Sequence, residues 1–175
     1  MIRRYYATKD NTITNAFEEN LQTRATGSNM GAADIVEVFS IYAQASTSSA
    51  ELARFLIEFD TTELATDRSA GLVPVSGSVS WYLRMFNAPH SQTVPSNFDL
   101  TISAVSQSWE EGYGMDMDYY EDDTRNGIGS NWINRASASA WVAQGGDYHV
   151  SPTFNQTFKT GLEDLEVDVS ELVEQ

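Results

Sequence analysis

Cysteine is absent from the 175-residue chain. Disulfide bonds, thiolate metal ligands and cysteine nucleophiles are therefore excluded, and stability must come from packing. No stretch is apolar over the length that spans a bilayer. The N-terminal segment has two arginines without an apolar run behind them, which is not the pattern of a secretory signal. We expect a protein that is made in a cytoplasm and stays soluble.

Basic residues are scarce, with 10 Lys and Arg against 25 Asp and Glu, which gives a formal net charge of -15. A nucleic-acid partner requires clustered basic side chains against its phosphates, and an anionic membrane surface repels an acidic protein. We therefore expect no nucleic acid and no membrane, and partners that are proteins, sugars or cations. The hydrophobic content of 41% argues against disorder and favours one domain with a full core.

Recognisable catalytic motifs are also missing. The chain has no Gly-x-Ser-x-Gly elbow and no phosphate-binding loop followed by lysine. His90 and His149 are too far apart in sequence to suggest a zinc pair. Carboxylate pairs occur in any acidic protein and do not by themselves indicate a glycosidase. We expect a protein that is not an enzyme.

Residues 98 to 105 alternate between apolar and polar side chains as far as Ala104. Because successive side chains of a strand point to opposite faces, the segment is predicted to be a half-buried antiparallel strand. The predicted core face consists of Phe98, Leu100, Ile102 and Ala104, and the predicted solvent face of Asp99, Thr101 and Ser103.

An earlier segment, residues 79 to 86, also reads as a strand, but both of its faces carry large apolar side chains. Its predicted core face consists of Val79, Trp81, Leu83 and Met85. The other face includes Tyr82 and Phe86, which are too apolar for a surface exposed only to solvent. Either a loop covers these two aromatic side chains or they contact a partner.

Other short segments read as strands separated by turns. They are residues 3 to 8, 35 to 42, 52 to 59, a short strand after Gly145-Gly146, and 165 to 169. The start of the third has helix-forming residues, but its second half favours a strand. Residues 15 to 31 read as a long ordered loop, and a helical turn is predicted between Asp60 and Gly71. About eight short strands predict an all-β sandwich or barrel.

The corner Trp109-Glu110-Glu111-Gly112 opens a strongly acidic segment. Calcium takes six to eight oxygen ligands, so Asp116, Asp118 and Asp122 are weak candidates for a calcium site. The segment lacks the regular order of a dedicated calcium loop, and a solvated acidic loop is the simpler interpretation. No other metal or cofactor is expected.

Four tryptophans offer aromatic faces that could stack on sugars. Trp81 falls on a predicted core face. Trp132 and Trp141 flank a run of small residues and are candidates for surface anchors, with burial as the alternative.

Several motifs follow one another in a recognisable order. They are Asn29-Met30-Gly31, residues 54 to 60 (RFLIEFD), the Trp109 corner, Gly145-Gly146-Asp147 after Trp141, and residues 167 to 173 (VDVSELV). This order resembles the DNRLRE-type domain, a carbohydrate-binding-module-like jelly roll found in bacterial surface proteins and some virion proteins. Two features depart from the family pattern: the acidic insertion from Met115 to Asn131 is long, and the strands that normally follow the last motif are missing.

The resemblance implies an antiparallel jelly-roll β-sandwich with long loops and one or two short helical turns. It also implies that Trp109 closes one end of the sandwich. Residues 1 to 20 are interpreted as an N-terminal arm that attaches the protein, and residues 21 to 175 as a jelly roll truncated at its C-terminal end. The helix start at Ser170, which has no closing turn, also suggests a fragment of a longer protein.

In the absence of a secretory signal, the resemblance favours the virion branch of the family. It implies a non-enzymatic structural protein of a tailed bacteriophage, in the head, neck, tail or fibre or as a capsid decoration. Such a protein would be made in the host cytoplasm, join other virion proteins and form a homo-oligomer. The candidate interface residues are Tyr5, Tyr6, Tyr82, Phe86, Trp132 and Trp141. The alternative is a carbohydrate-binding module or adhesin that binds a glycan and is supported by calcium.

Overall fold

The computed structural model describes residues 2–75, 77–90, 93–115 and 128–174. It is mostly strands (35%) with few helices (8%), which confirms the all-β prediction, whereas its sheets are small and do not establish a jelly roll. The strands are β1 Ala7–Thr14, β2 Phe39–Tyr42, β3 Ala50–Phe59, β4 Tyr82–Met85, β5 Phe98–Val105, β6 Asn134–Ala136, β7 Ser139–Ala140, β8 Tyr148–Phe158 and β9 Leu165–Asp168. The helices are α1 Thr61–Ser69 and α2 Ser170–Val173.

The chain divides into two compact units. Unit 1 consists of Met1–Asp60 and Val105–Asp147, and unit 2 of Thr61–Ala104 and Tyr148–Gln175. The domain organisation suggested by the sequence, an arm over residues 1 to 20 followed by one jelly roll over residues 21 to 175, stays a prediction. The proposed arm includes β1, which is a strand of the unit 1 sheet. A role of residues 1 to 20 in attachment stays a prediction.

Unit 1 is organised around a three-stranded antiparallel sheet in the order β1-β3-β2. Asp10 lies opposite Ile57 on β3, and Phe39 lies opposite Ala53. The predicted first strand, residues 3 to 8, was misplaced, because β1 begins at Ala7 and continues through Asp10 and Asn11 to Thr14. Asn11 is tolerated there because its buried side chain finds hydrogen-bond partners in distant loops.

The hydrophobic core of unit 1 is formed by Ile13, Leu56, Trp109, Trp132 and Trp141, with Leu52 and Val105 packed against it. Residues 15 to 31 form the predicted loop, with one isolated bridge between Phe17 and Arg24. The predicted strand over residues 35 to 42 is shorter than expected, since β2 begins at Phe39. The strand predicted over residues 52 to 59 is confirmed as part of β3.

Unit 2 contains α1 and two pairs of strands, β4 with β9 and β5 with β8. The predicted helical turn is a helix of nine residues. β5 has the predicted bounds, and its first residues alternate in exposure as expected. Phe98 on β5 stacks on Phe158 of β8 with ring centroids 5.0 Å apart. Among the described residues, no helix is long and apolar enough to cross a membrane.

Candidate functional site

The Trp109 corner lies in unit 1, where it meets the loop that contains Asn29. Trp109 is buried in the core, as predicted. Asn29 is fully buried, and its side-chain amide donates to the carbonyl oxygens of Glu111 at 2.6 Å and Ser130 at 2.8 Å. The Asn29 carbonyl oxygen Oδ1 accepts from the backbone N–H of Gly114 at 2.8 Å. The structure therefore joins two motifs that are about 80 residues apart in sequence.

A second buried asparagine completes this polar cluster. The Asn11 amide donates to the carbonyl and the hydroxyl oxygen of Ser130, both at 2.8 Å, and its Oδ1 accepts from the backbone N–H of Met30 at 2.8 Å. We call Asn11, Asn29 and Ser130 the asparagine network. Since Ser130 is also fully buried, these bonds satisfy groups that have no access to water.

Glycines make this close approach possible. A Cβ atom at Gly112 would collide with the side chain of Asn29. A Cβ atom at Gly114 would collide with the backbone carbonyl oxygen of Asn29. Gly112 also has φ of +89°, a conformation that side chains disfavour. The glycine of the Trp-Glu-Glu-Gly motif is thus required by packing and backbone conformation, and the motif has a structural role.

The carboxylates of the corner have protein partners. Glu110 accepts from the hydroxyl of Ser137 at 2.6 Å and from its backbone N–H at 2.8 Å. These bonds lower the pKa of Glu110, with the hydroxyl bond as the largest cause. Glu111 accepts from the backbone N–H of Asp10 at 3.0 Å. Burial, followed by the charge of Glu111, raises the pKa of Asp10.

The calcium candidates Asp116, Asp118 and Asp122 lie outside the described residues. Within the described ranges, no group of three or more histidine and carboxylate side chains is arranged to hold a metal ion. The carboxylates of Glu110 and Glu111 in the corner hold neighbouring loops in place through their hydrogen bonds. Calcium binding stays a prediction that concerns the acidic segment alone.

Trp132 and Trp141 are not surface anchors. They are 6% and 5% exposed and lie together in the unit 1 core. The indole N–H of Trp141 donates to the carbonyl of Asn131 at 2.9 Å, and the Arg54 guanidinium lies 5.3 Å from the Trp132 ring centroid. With their faces covered, these two side chains do not form the open sugar-stacking platform that the sequence suggested. The hairpin β6–β7 lies between them in sequence, where small residues suit its tight turn.

Two further motifs of the resemblance also serve packing in unit 1. Arg54 donates to the carbonyl of Gly145 at 2.6 Å, which links β3 to the Gly-Gly-Asp turn. The carboxylate of Asp147 closes that turn by accepting from the backbone N–H groups of Val142 at 2.7 Å and Ala143 at 2.8 Å. These residues position loops and provide no chemistry of their own.

The remaining interface candidates are at or near the surface. Tyr5 is half-buried and Tyr6 is 76% exposed, both in unit 1. In unit 2, Tyr82 is 55% exposed and Phe86 is 81% exposed. No loop covers these two side chains in the described part of the chain, so the second alternative, contact with a partner, is the one left open for them.

β4 holds Tyr82 in a defined position because the ends of this segment are fastened. The backbone N–H of Trp81 donates to the Ser170 hydroxyl at 2.8 Å, and that of Asn87 donates to the Asp164 carboxylate at 2.9 Å. The Trp81 side chain, predicted to be buried, is half-buried, and its indole N–H donates to Glu174 at 2.7 Å.

Sequence reasoning missed a partly buried ion pair in unit 2. Arg68 on α1 and Glu174 approach to 2.7 Å, with side chains that are 24% and 14% exposed. Arg68 Nε and Glu174 Oε2 lack partners among the described atoms. No sequence signal identifies this pair, because its members are over a hundred residues apart and belong to no motif.

Taken together, the geometry shows two kinds of region: a braced loop cluster around the asparagine network, and an exposed aromatic strand edge at β4. Neither contains an arrangement of catalytic groups in the described residues. Comparisons with family models, with curated proteins and with solved structures find no match to this chain.

Proposed function

We propose that the protein is a non-enzymatic structural component of a tailed bacteriophage virion that acts through protein–protein assembly. It would be made in the host cytoplasm and would join other virion proteins, with no nucleic acid or membrane as partner. The order of motifs that resembles the DNRLRE-type jelly roll supports this proposal. The single structural observation that supports it best is a pair of exposed aromatic side chains, Tyr82 at the start of β4 and Phe86 directly after its end.

Exposed aromatic side chains on a fixed strand suit assembly. Tyrosine and phenylalanine are enriched at protein interfaces, because they bury a large apolar area with little loss of side-chain freedom. The strand that presents them is fastened at both ends, so little ordering is required on binding. The net charge of -15 favours partners with basic surfaces or assembly at high ionic strength.

Fractionation of purified particles tests the role directly. Particles from the phage that encodes the chain are purified by density gradient, and the chain is quantified by mass spectrometry and located with gold-labelled antibody. We expect a fixed stoichiometry with the major capsid or tail protein through repeated purification. If the chain remains in the lysate supernatant, it is not a virion component.

A glycan array separates this proposal from the alternative of a carbohydrate-binding module or adhesin. The burial of Trp132 and Trp141 removes the aromatic platform on which the alternative partly rested. We expect no glycan to bind above background, with and without calcium. Specific binding of one glycan class, together with absence from particles, would favour the alternative.

A further inference from the structure

Among the residues that the structure describes, no backbone group bonds to the outer edge of β4. Val169 N–H donates to the carbonyl of Trp81 at 2.8 Å, and the register places Leu83 opposite Val167. Since hydrogen-bonding sites alternate along antiparallel strands, Leu83 and Met85 bond to β9, and the peptide groups of Tyr82 and Arg84 point away from it. Within the described residues, β4 has no second neighbouring strand.

Side chains do not protect this edge as they usually do. Natural sheets blunt exposed edges with charges, prolines or bulges. The one charged side chain here, Arg84, is paired with Glu166 on β9 at 2.9 Å. Two residues away on either side are the exposed Tyr82 and Phe86. Phe86 directly follows β4, and the alternation of side chains along an extended chain places both aromatic residues on the same face as Arg84. An edge with exposed aromatic side chains, whose one charged side chain is already paired within its own sheet, favours the addition of another strand.

The edge is complementary to itself. If two copies of β4 pair in antiparallel orientation about a twofold axis at Arg84, Tyr82 of one copy lies opposite Phe86 of the other, and the reverse. Such aromatic cross-strand pairs stabilise a sheet. An axis at Arg84 is the one twofold register that places both aromatic residues opposite each other. It also uses the free peptide groups of Tyr82 and Arg84 in both copies.

We propose that the occupant of this edge is a second copy of the chain, and that the protein forms a twofold dimer with the strand order β9-β4-β4-β9. This inference rests on the assembly role proposed above and names the partner and the register. The two Arg84 side chains meet near the axis, where each remains neutralised by its own Glu166. Repulsion between copies with a net charge of -15 opposes dimerisation, so salt strengthens it.

Sedimentation equilibrium of the full chain tests the dimer at several concentrations and at low and high sodium chloride. We expect a monomer–dimer equilibrium that shifts toward the dimer as salt rises. Phe86→Asp should weaken the dimer by about tenfold or more, since it replaces both aromatic pairs by an acid. Val150→Asp is the matched control, because Val150 is 83% exposed on β8 and is not at this edge.

Two further variants test the register. Arg84→Pro removes a donor at the outer edge, where proline is tolerated, and should abolish the dimer while circular dichroism shows an unchanged fold. Arg84→Cys introduces the one cysteine of the chain at the axis, where the Cα atoms of the two copies are about 5.5 Å apart, as in a hydrogen-bonded pair. A short bis-maleimide cross-linker, which does not require the narrow geometry of a disulfide, should form a covalent dimer of this variant, and it should not cross-link Thr153→Cys on β8.

A monomer under all conditions overturns the proposal, as does a dimer that Phe86→Asp and Arg84→Pro leave intact or that Arg84→Cys fails to cross-link. These outcomes are independent of the particle experiment. A β4 dimer of a chain that is absent from virions would reject the proposed function and retain this inference. A monomer that is found in virions would retain the proposed function and reject this inference.

Discussion

At the scale of single residues, the side chain of Asn29 makes hydrogen bonds to backbone groups of the kind that a neighbouring strand makes in a sheet. Its side-chain amide donates two hydrogen bonds to backbone carbonyls, and its Oδ1 accepts from the N–H groups of Gly31 at 3.2 Å and Gly114 at 2.8 Å. An asparagine has two donor hydrogens and two acceptor lone pairs, so its full capacity is used. One buried side chain therefore ties three loops together.

The first prediction follows from the fact that every hydrogen-bonding group of the Asn29 side chain is used. Asn29→Ala leaves buried carbonyl and N–H groups without partners, and each such group costs about 1–3 kcal/mol. We expect a loss of at least about 2 kcal/mol in the free energy of unfolding, measured in urea. Asn20→Ala is the control, because the Asn20 bonds to Gln22 and Thr23 are exposed. Equal effects of the two substitutions would contradict a special role for Asn29.

A second residue-scale prediction concerns Glu163. Its carboxylate accepts from the backbone N–H groups of Thr160 and Lys159 at 2.9 Å and of Leu162 at 3.1 Å. The bond from Thr160 is the largest cause that lowers the pKa of Glu163 from 4.5 to about 2. Because the folded-state pKa is depressed, the stabilisation is complete above pH 4.5 and is lost as the pH falls toward 2.

NMR titration of the side-chain carboxyl carbon measures this pKa directly. We also expect Glu163→Gln to lower the melting temperature at neutral pH, with a difference from the native chain that shrinks through the window from 4.5 to about 2. Titration of Glu163 near its ordinary value, or a melting-temperature difference that does not depend on pH, would show that the turn does not hold the carboxylate.

At the scale of elements, Gln156 links β8 to β9 although the two strands do not pair. Its Nε2 donates to the carbonyl of Asp164 at 2.8 Å, and its Oε1 accepts from the backbone N–H of Glu166 at 2.8 Å. A primary amide has the same donor and acceptor groups as a peptide bond. The side chain thus replaces a short section of the hydrogen-bond ladder.

Hydrogen exchange tests this link amide by amide. In Gln156→Ala, the Glu166 amide should exchange faster, because its acceptor is lost, while the Val167 amide that faces β4 keeps its protection. Asn155→Ala, at an exposed neighbouring position, is the control. Unchanged exchange at Glu166 would mean that the side chain does not hold the two strands together.

The sequence predicts elements well where the local pattern decides them and poorly where distant partners do. β5 follows from the alternation of its apolar and polar residues, and the burial of Trp109 follows from the family resemblance of its corner motif. β1 was misplaced because Asn11 reads as a turn residue, and only its bonds to Ser130 and Met30 make it acceptable within a strand. Trp132 and Trp141 could not be assigned from pattern alone, since the loops that cover them are remote in sequence.

The edge at β4 shows the same division between local and distant causes. The alternation around Tyr82 and Phe86 predicts which face they share, and their exposure leaves the partner interpretation open. The unpaired outer edge was not predictable, because it depends on which strand pairs with β4. That pairing joins segments about 80 residues apart.

At the scale of the whole molecule, the main feature is the large excess of negative charge. A net charge of -15 on 175 residues produces self-repulsion that sodium chloride screens, so we expect the melting temperature to rise with salt. Calorimetry with sodium chloride and calcium chloride at matched ionic strength separates screening from binding. We expect equal melting temperatures in the two salts. An extra increase with calcium would support a site that includes Asp116, Asp118 and Asp122, and a fall with sodium chloride would contradict the screening argument.

The connectivity of the two units has a practical consequence for genetics. The chain passes from one unit to the other after Asp60, after Ala104 and after Asp147, so each unit is assembled from two separate stretches of sequence. No single continuous gene fragment encodes either unit. A nonsense mutation or a frameshift at any point before Tyr148 removes material from both, so partial gene products should be degraded rather than retain half of the molecule.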